Sequence, residues 1–382
     1  MRKCQDWIGS YLDYTQETES PEIFHLWSAI SCLAATSGRN CRLNRGAYVI
    51  YPNHYVILVA PSSVAKKSTA VGIAKKLMEE AKVVKMLASR ITNAAVLMKL
   101  SDAAKETGRS ECLVFASELA TFLSKEETHR GLITTLNDLY DSPDQFINEL
   151  KTGPSDILKE ICLNMLAATT PTDIGELFPR SSTGTGFMPR LHMIYSKEGK
   201  GRVPNPYLPT ELGKDLVEDL IHIKSLKGEV KLTEEGEEFW QNWYRNLKYP
   251  DLPVLDSWYG RKHDHMLKLA ILLSLSCRDD LVLNPSIIGM AIQILDQMEQ
   301  FLPLIYNEIG KLPITEHKER ILKQMERRKG VATRSELLHD NWHCLDAENM
   351  DKVIATLLQQ ELICQELQGK RVVYKLAKGE KK

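Results

Sequence analysis

Apolar positions along the chain change their period several times, and the changes mark out its elements. Val56-Ile57-Leu58-Val59 is an unbroken β-branched and apolar run, too dense for a half-exposed strand and suited to the buried centre of a parallel sheet. A turn of small residues, Ala60 to Ala65, follows it. Lys66-Lys67-Ser68-Thr69 then opens a helical pattern with Val71, Ile73, Ala74 and Leu77 on one side. Upstream, Trp7, Ile8, Tyr11 and Leu12 predict an amphipathic helix. A second, apolar helix begins after Pro21, with Ser20 placed to cap it and Gly38 to stop it, and a hairpin is expected around Arg45-Gly46. Downstream, strands are expected at residues 83–87, 111–116 and 161–168. A helix runs from Thr92 to Gly108, and a hairpin turns at Gly153-Pro154. A glycine-rich loop then precedes Arg190 and another apolar strand. From Leu208 to Gly310 the spacing is helical almost throughout, and beyond Pro313 three helices and two short strands around Gln368-Gly369 predict a winged helix.

Composition narrows the function classes. The 382 residues are 43% hydrophobic and 26% charged, as in an ordinary globular protein with room for two or three cores. Net charge is −1, which excludes a uniformly basic nucleic-acid coat and confines any DNA contact to local patches. No apolar run approaches the ~18 residues of a membrane span, and the first residues lack the apolar core of a signal peptide, so a cytoplasmic location is expected. Eight cysteines without a C-x-x-C pair point to a reduced, metal-free chain.

The chemistry concentrates at the end of the first apolar run. Strand, small-residue loop, Lys-Ser and helix is the layout of a phosphate-binding loop. In such a loop backbone amides face the phosphates, the lysine adds a point charge and the hydroxyl holds Mg2+. The best frame puts Lys67 and Ser68 in these roles, with Ser63, Ala65 and Lys66 in the loop and Thr69 as a second hydroxyl. Pro61 and Lys66 then stand where the pattern has glycine, so the curvature has to come from residues strained at positive φ. A buried strand entering a basic helix is the competing reading. Glu118, just beyond an apolar strand, has the position of an acid that polarises an attacking water, though Ser117 replaces the acid expected beside it. Thr169 either contacts a γ-phosphate or caps the helix after Pro171; Arg190 is either a finger for a neighbouring subunit's nucleotide or a strand-edge arginine. Arg39, Arg42 and Arg45 read as a solvated strand edge or a DNA-facing surface. Trp240, Trp243, Tyr244, Trp258 and Tyr259 read as packing or as stacking platforms for single-stranded DNA. His263 and His265, two apart, do not share the helix face that metal ligation needs.

The ordered motifs WSAISCLAATSGR, YPNHYVILVAPSSVAKKSTA, LVFASELATFL, LNMLAATTPTDI, GFMPRLHMIY and RKHDHMLKLAILLSL together resemble the YfjI-like P-loop ATPase family of phages and mobile elements, the helicase-like part of primase-helicase proteins. The resemblance covers about residues 20 to 305. It implies a RecA/AAA+-like α/β core at residues 51–206 after an N-terminal helical and hairpin segment at 1–50, a helical lid at 207–311 and, beyond the resemblance, the winged helix at 312–378. It further implies an ATP- and Mg2+-dependent motor acting on single-stranded or forked DNA as a homo-oligomeric ring, a hexamer. No primase zinc motif or catalytic carboxylate cluster precedes the core, so any priming is expected from another chain, a separate primase or loader. Lys67 and Ser68 match the family's phosphate loop, Glu118 its acid, Thr169 its sensor and Arg190 its finger, while Arg261 is placed to act as a second sensor in cis. In the terminal module Arg327, Arg328, Lys329, Arg334, Lys370 and Arg371 are the expected DNA contacts. The missing glycines and Ser117 leave two alternatives open: a P-loop adaptor or loader that does not unwind DNA, and a signalling ATPase whose winged helix binds protein.

Overall fold

The computed structural model describes residues 2–123, 128–149, 155–178, 186–250, 252, 255–308, 313–328, 330–341, 347–368 and 371–377. The chain divides into two compact units, Met1–Glu308 and Ile309–Lys382. The first unit is built on a five-stranded, all-parallel sheet. In chain order its strands are β1 (Tyr55–Val59), β2 (Lys85–Leu87), β3 (Glu111–Ala116), β4 (Cys162–Thr169) and β5 (Leu191–Tyr195), arranged in space as β2-β3-β4-β1-β5. The dense apolar run is therefore an interior strand, and all five residues of β1 are buried, as a strand covered on both faces requires. Register fixes which ends meet: Val59 pairs with both Thr169 and Tyr195, and Ala116 pairs with Ala167. Strands β1, β3 and β4 thus finish at one carboxyl edge, where open α/β sheets bind ligands.

Helices α1 (Trp7–Tyr14), α2 (Glu22–Ser37), α3 (Lys67–Ala81), α4 (Asn93–Thr107), α5 (Thr128–Tyr140) and α6 (Pro171–Leu177) surround this sheet. Their ends follow the expected chemistry at several points. Thr92 accepts from the Ala95 amide, and Gly38 and Gly108 adopt positive φ at the helix ends. Ser20 departs from expectation: α2 has no side-chain cap, and the Ser20 hydroxyl reaches elsewhere. The hairpin around Arg45-Gly46 forms between Cys41–Asn44 and Val49–Ile50, and a second pairs Gln145–Asn148 with Asp156–Lys159, its turn lying outside the described residues. Helices α7 (Thr210–Ser225), α8 (Glu234–Arg245), α9 (Lys262–Cys277) and α10 (Pro285–Glu299) belong to the same unit. Among the described residues no helix is long and apolar enough to cross a membrane.

Polar groups occupy part of the core at the sheet's amino edge. His54, His192 and His265 are buried, with ring centroids 4.7 Å apart for the first two and 4.5 Å for the last two, and Trp27 lies 5.0 Å from His192. Buried Lys268 donates to Asn53 Oδ1 at 2.8 Å and sits over the Tyr140 ring. Arg39 is buried as well, contrary to either surface reading: it donates to the carbonyls of Ser142 and Pro143, to the Tyr51 hydroxyl and to Asp144. Trp258 and Tyr259 are buried too, so neither is a stacking platform.

The second unit holds α11 (Pro313–Arg327), β6 (Val331–Thr333), α12 (Arg334–Asp340), α13 (Ala347–Gln359), β7 (Ile363–Gln368) and β8 (Arg371–Leu376), with an antiparallel sheet in the order β6-β8-β7. Ile321, Met325, Leu337, Val353, Leu357 and Ile363 are among the residues of its own core. Thr333 and Glu336 form a capping box at the start of α12.

Candidate nucleotide-binding site

The turn between β1 and α3 carries two non-glycine residues with positive φ, Ser63 at 62° and Lys66 at 46°. Left-handed backbone costs an L-residue roughly 1–2 kcal/mol, so the curvature the pattern assigns to glycine is obtained here at the expense of strain. Ser62, Ser63 and Val64 are exposed. Among the described residues nothing accepts a hydrogen bond from the amides of residues 62–68, while the Thr69 and Ala70 amides already bond to the Lys66 carbonyl. A run of amides without acceptors, ending in the first turn of a helix, is a concave patch of partial positive charge suited to phosphate oxygens.

Lys67 lies at the mouth of this turn. Its Nζ donates to the carbonyls of Ala60 and Pro61, at 2.7 and 3.1 Å. Burial lowers its pKa from the ordinary lysine value, and Asp173 at the start of α6 opposes that shift. The ammonium is thus kept beside the loop by two carbonyls, both of which a phosphate can replace. Ser68 and Thr69 are exposed at the start of α3, with hydroxyls available to a metal held mainly by phosphate oxygens.

Two adjacent threonines end β4, and the structure separates their roles. Thr170 is the cap: its Oγ1 accepts from the Asp173 amide at 3.2 Å, and the Asp173 carboxylate accepts from Thr170 in return. Thr169, opposite Val59, is 4% exposed and its hydroxyl has no partner among the described residues. The Ala60 amide donates to its carbonyl, which ties the strand end to the start of the loop. A buried hydroxyl without a partner costs about 1–3 kcal/mol, and a bound phosphate would relieve that cost. Glu118 stands beyond the end of β3 at the same edge; it is exposed, and its carboxylate accepts from the Thr121 hydroxyl at 3.2 Å.

Both arginines expected at the nucleotide lie elsewhere in this chain. Arg190 precedes Leu191, which pairs with Tyr55 at the start of β1, so it sits at the amino edge of the sheet, about 13 Å of strand from the loop. It donates to Asp141 at 2.8 Å and to the Gly186 carbonyl at 2.7 Å. Arg261 donates to the same Asp141 at 3.3 Å. The cis-sensor role is therefore corrected: Arg261 shares an edge with Arg190, and the sheet separates it from Lys67.

Support for the loop comes from residues the sequence did not assign to this site. The Ser20 hydroxyl donates to the Lys66 carbonyl at 2.9 Å, and Glu19 lies 3.4 Å from Lys66 Nζ. The stretch after β5 joins them, with the Lys200 amide donating to the Glu19 carbonyl and the Val203 amide to its carboxylate. At Gly199 a β-carbon would lie 2.7 Å from the Glu19 carbonyl oxygen and 3.1 Å from that of Val64, so only glycine fits without displacing backbone. Ser20 next to Pro21 was the one legible signal, and it resembled a helix cap.

In the second unit Arg328 pairs with Asp340 at 2.7 Å, and Arg334 takes Asp351 through two bonds, of 2.6 and 2.9 Å. Arg327 is exposed. Lys329 and Lys370 lie outside the described residues, as does the side chain of Arg371. No protein family and no characterised protein matches the chain in sequence comparison.

Proposed function

We propose that the chain is an ATP-driven DNA motor, a helicase or helicase-like replication protein of a phage or mobile element, that hydrolyses ATP where copies of the chain meet in a ring. The observation that carries the nucleotide part is the run of unpaired amides at residues 62–68, closed by Lys67, at the same sheet edge as the unsatisfied Thr169 hydroxyl. In this reading the loop amides and Lys67 hold the β- and γ-phosphates. Ser68, backed by Thr69, holds Mg2+, which neutralises charge on the phosphates when bound. Glu118 orients and deprotonates the attacking water, and Thr169 donates to the γ-phosphate. Arg190 reaches a neighbour's nucleotide only after leaving Asp141. The DNA part rests on the family resemblance and on the second unit, whose helices and antiparallel ribbon follow the order of a winged helix.

A measurement of ATP turnover with and without single-stranded DNA tests both parts. DNA-stimulated turnover that disappears in Lys67→Ala supports the proposal, and turnover unchanged in that variant refutes the site. The second reading, a DNA-binding adaptor or loader that holds ATP without unwinding, is favoured by Ser117 beside Glu118 and by the engagement of Arg190 with Asp141. Nucleotide affinity without phosphate release selects it. In either reading the second unit meets DNA with Arg328 and Arg334 already paired to acids, so phosphate has to displace Asp340 and Asp351, and affinity should fall steeply with salt.

A further inference from the structure

A cavity of about 310 Å3 lies beside the loop, lined by Gly9, Leu12, Asp13, Gln16, Glu22 and His25 among others. Two more of its lining residues tie it to the phosphate site: Ser20 donates to the Lys66 carbonyl, and Lys200 follows Gly199, which abuts the Val64 backbone. Its volume is at the small end of small-molecule sites, too small for a whole nucleoside triphosphate but sufficient for part of one. The lining also selects by charge. Asp13 and Glu22 bring two carboxylates against the one ammonium of Lys200, which donates to the Gln16 carbonyl at 2.9 Å, so the lining is net acidic: it accepts from hydroxyl and amino groups and disfavours phosphate. The lining residue His25 donates from Nε2 to the Thr18 hydroxyl at 2.7 Å, because that hydroxyl itself donates to the Thr15 carbonyl at 2.8 Å. The other ring nitrogen, Nδ1, is then a buried acceptor without a partner among the described residues.

We propose that this cavity is the nucleoside subsite of the loop: the base and ribose of a purine nucleotide enter between α1 and the Thr15–Ser20 stretch, with the phosphates on the amides of residues 62–68. The assignment rests on the nucleotide reading of the loop. The carboxylates set the polarity of binding, because the charged end is repelled from the cavity and the hydroxyl- and amino-bearing end is accepted there. Leu12, half-buried on α1, supplies apolar contact for the base.

Titration of the full chain with ATP, with inorganic tripolyphosphate and with adenosine tests the subsite independently of the loop. In the wild type ATP should bind at least tenfold more tightly than tripolyphosphate. Leu12→Trp, which fills the cavity, should bring ATP affinity down to that of tripolyphosphate and leave tripolyphosphate binding unchanged. Asp13→Ala, at an exposed position with little bearing on folding, should weaken ATP and adenosine several-fold and tripolyphosphate not at all. If ATP affinity survives both substitutions but is lost in Lys67→Ala, the subsite is refuted and the loop assignment stands. If Lys67→Ala leaves both ATP and tripolyphosphate binding unchanged, the loop assignment fails and the subsite with it.

Discussion

Lowering the pH from 7.5 to 5 is expected to destabilise the first unit by at least about 4 kcal/mol, through histidines that fold uncharged. An ordinary histidine titrates at 6.5; burial pushes His54 down to about 3 and His25 to about 4, and holds His192 and His265 well below the usual range. Below pH 6.5 the unfolded chain therefore binds protons that the native chain refuses. The stabilisation is intact above 6.5 and is lost progressively as pH falls towards the native values. At pH 5 the gap is 1.5 pH units, which at about 1.36 kcal/mol per unit gives roughly 2 kcal/mol for each ring. His54 and His25 together supply the 4 kcal/mol, and His192 and His265 add in the same direction. Most carboxylates, with ordinary values near 4, enter only at lower pH; Glu299, which burial raises, acts with the opposite sign, so the interval from 6.5 to 5 is dominated by the imidazoles. Domain stabilities of about 5–15 kcal/mol make such a loss decisive. Urea unfolding followed by tryptophan fluorescence reads it directly, since five of the six tryptophans, at 7, 27, 240, 243 and 258, lie in the first unit. His192→Phe serves as the internal control. The His192 ring makes at most a weak contact with the Tyr55 backbone, so the apolar ring should cost little stability at pH 7.5 and remove about one proton from the pH slope. Equal stability at pH 7.5 and 5, or a slope untouched by His192→Phe, would refute the reasoning.

Thr169→Val should leave the fold as stable or about 1 kcal/mol more stable, because it removes an unsatisfied buried hydroxyl; ATP turnover should drop at least tenfold while affinity changes little, and a proportionate loss of affinity would argue against γ-phosphate contact. Ser63→Gly should raise stability by about 0.5–1 kcal/mol in thermal melts by relieving positive φ, and a lower melting temperature would show that the serine side chain has a role of its own. Arg39→Ala should cost about 2–3 kcal/mol through two abandoned carbonyls and lost packing, and Arg39→Lys should rescue little, since one ammonium cannot reproduce the guanidinium fork; full rescue by lysine would indicate that only the charge matters. Raising salt should weaken DNA binding by full-length protein with a steep log–log slope, and a flat response would favour a protein partner for the second unit.

The elements were legible where one physical signal dominated. The unbroken run at Val56–Val59 gave an interior strand, Thr92 and Gly108 bounded a helix, and the pair Thr169-Thr170 marked a strand end. Even the positive φ in the loop followed from its lack of glycine. The less legible features depend on long-range contact. Nothing in the local sequence separates Arg39, which is buried, from Arg42, which is exposed three residues later. Ser20 has a cap's position and a loop-bracing role, because its partner, Lys66, is 46 residues away. Arg261 reads as a nucleotide ligand in its own chain from its place at the head of a helix, but Asp141 takes it together with Arg190 at the sheet's amino edge. The histidine stack was unreadable for the same reason: His54 precedes β1, His192 lies in β5 and His265 in α9, and they meet only in the fold.

The backbone contact at Gly199 limits how this chain can vary. Both nearest atoms a β-carbon would meet are main-chain oxygens, so no change of rotamer makes room; a substitution there has to push either the Glu19 segment or the loop itself aside. The close approach that glycines inside a phosphate loop ordinarily permit is made here from outside it, by a residue more than 130 positions downstream. A search keyed to glycine within the loop passes over such a chain, whereas one that paired a glycine-free Lys-Ser turn with an obligatory glycine after the last sheet strand would find it.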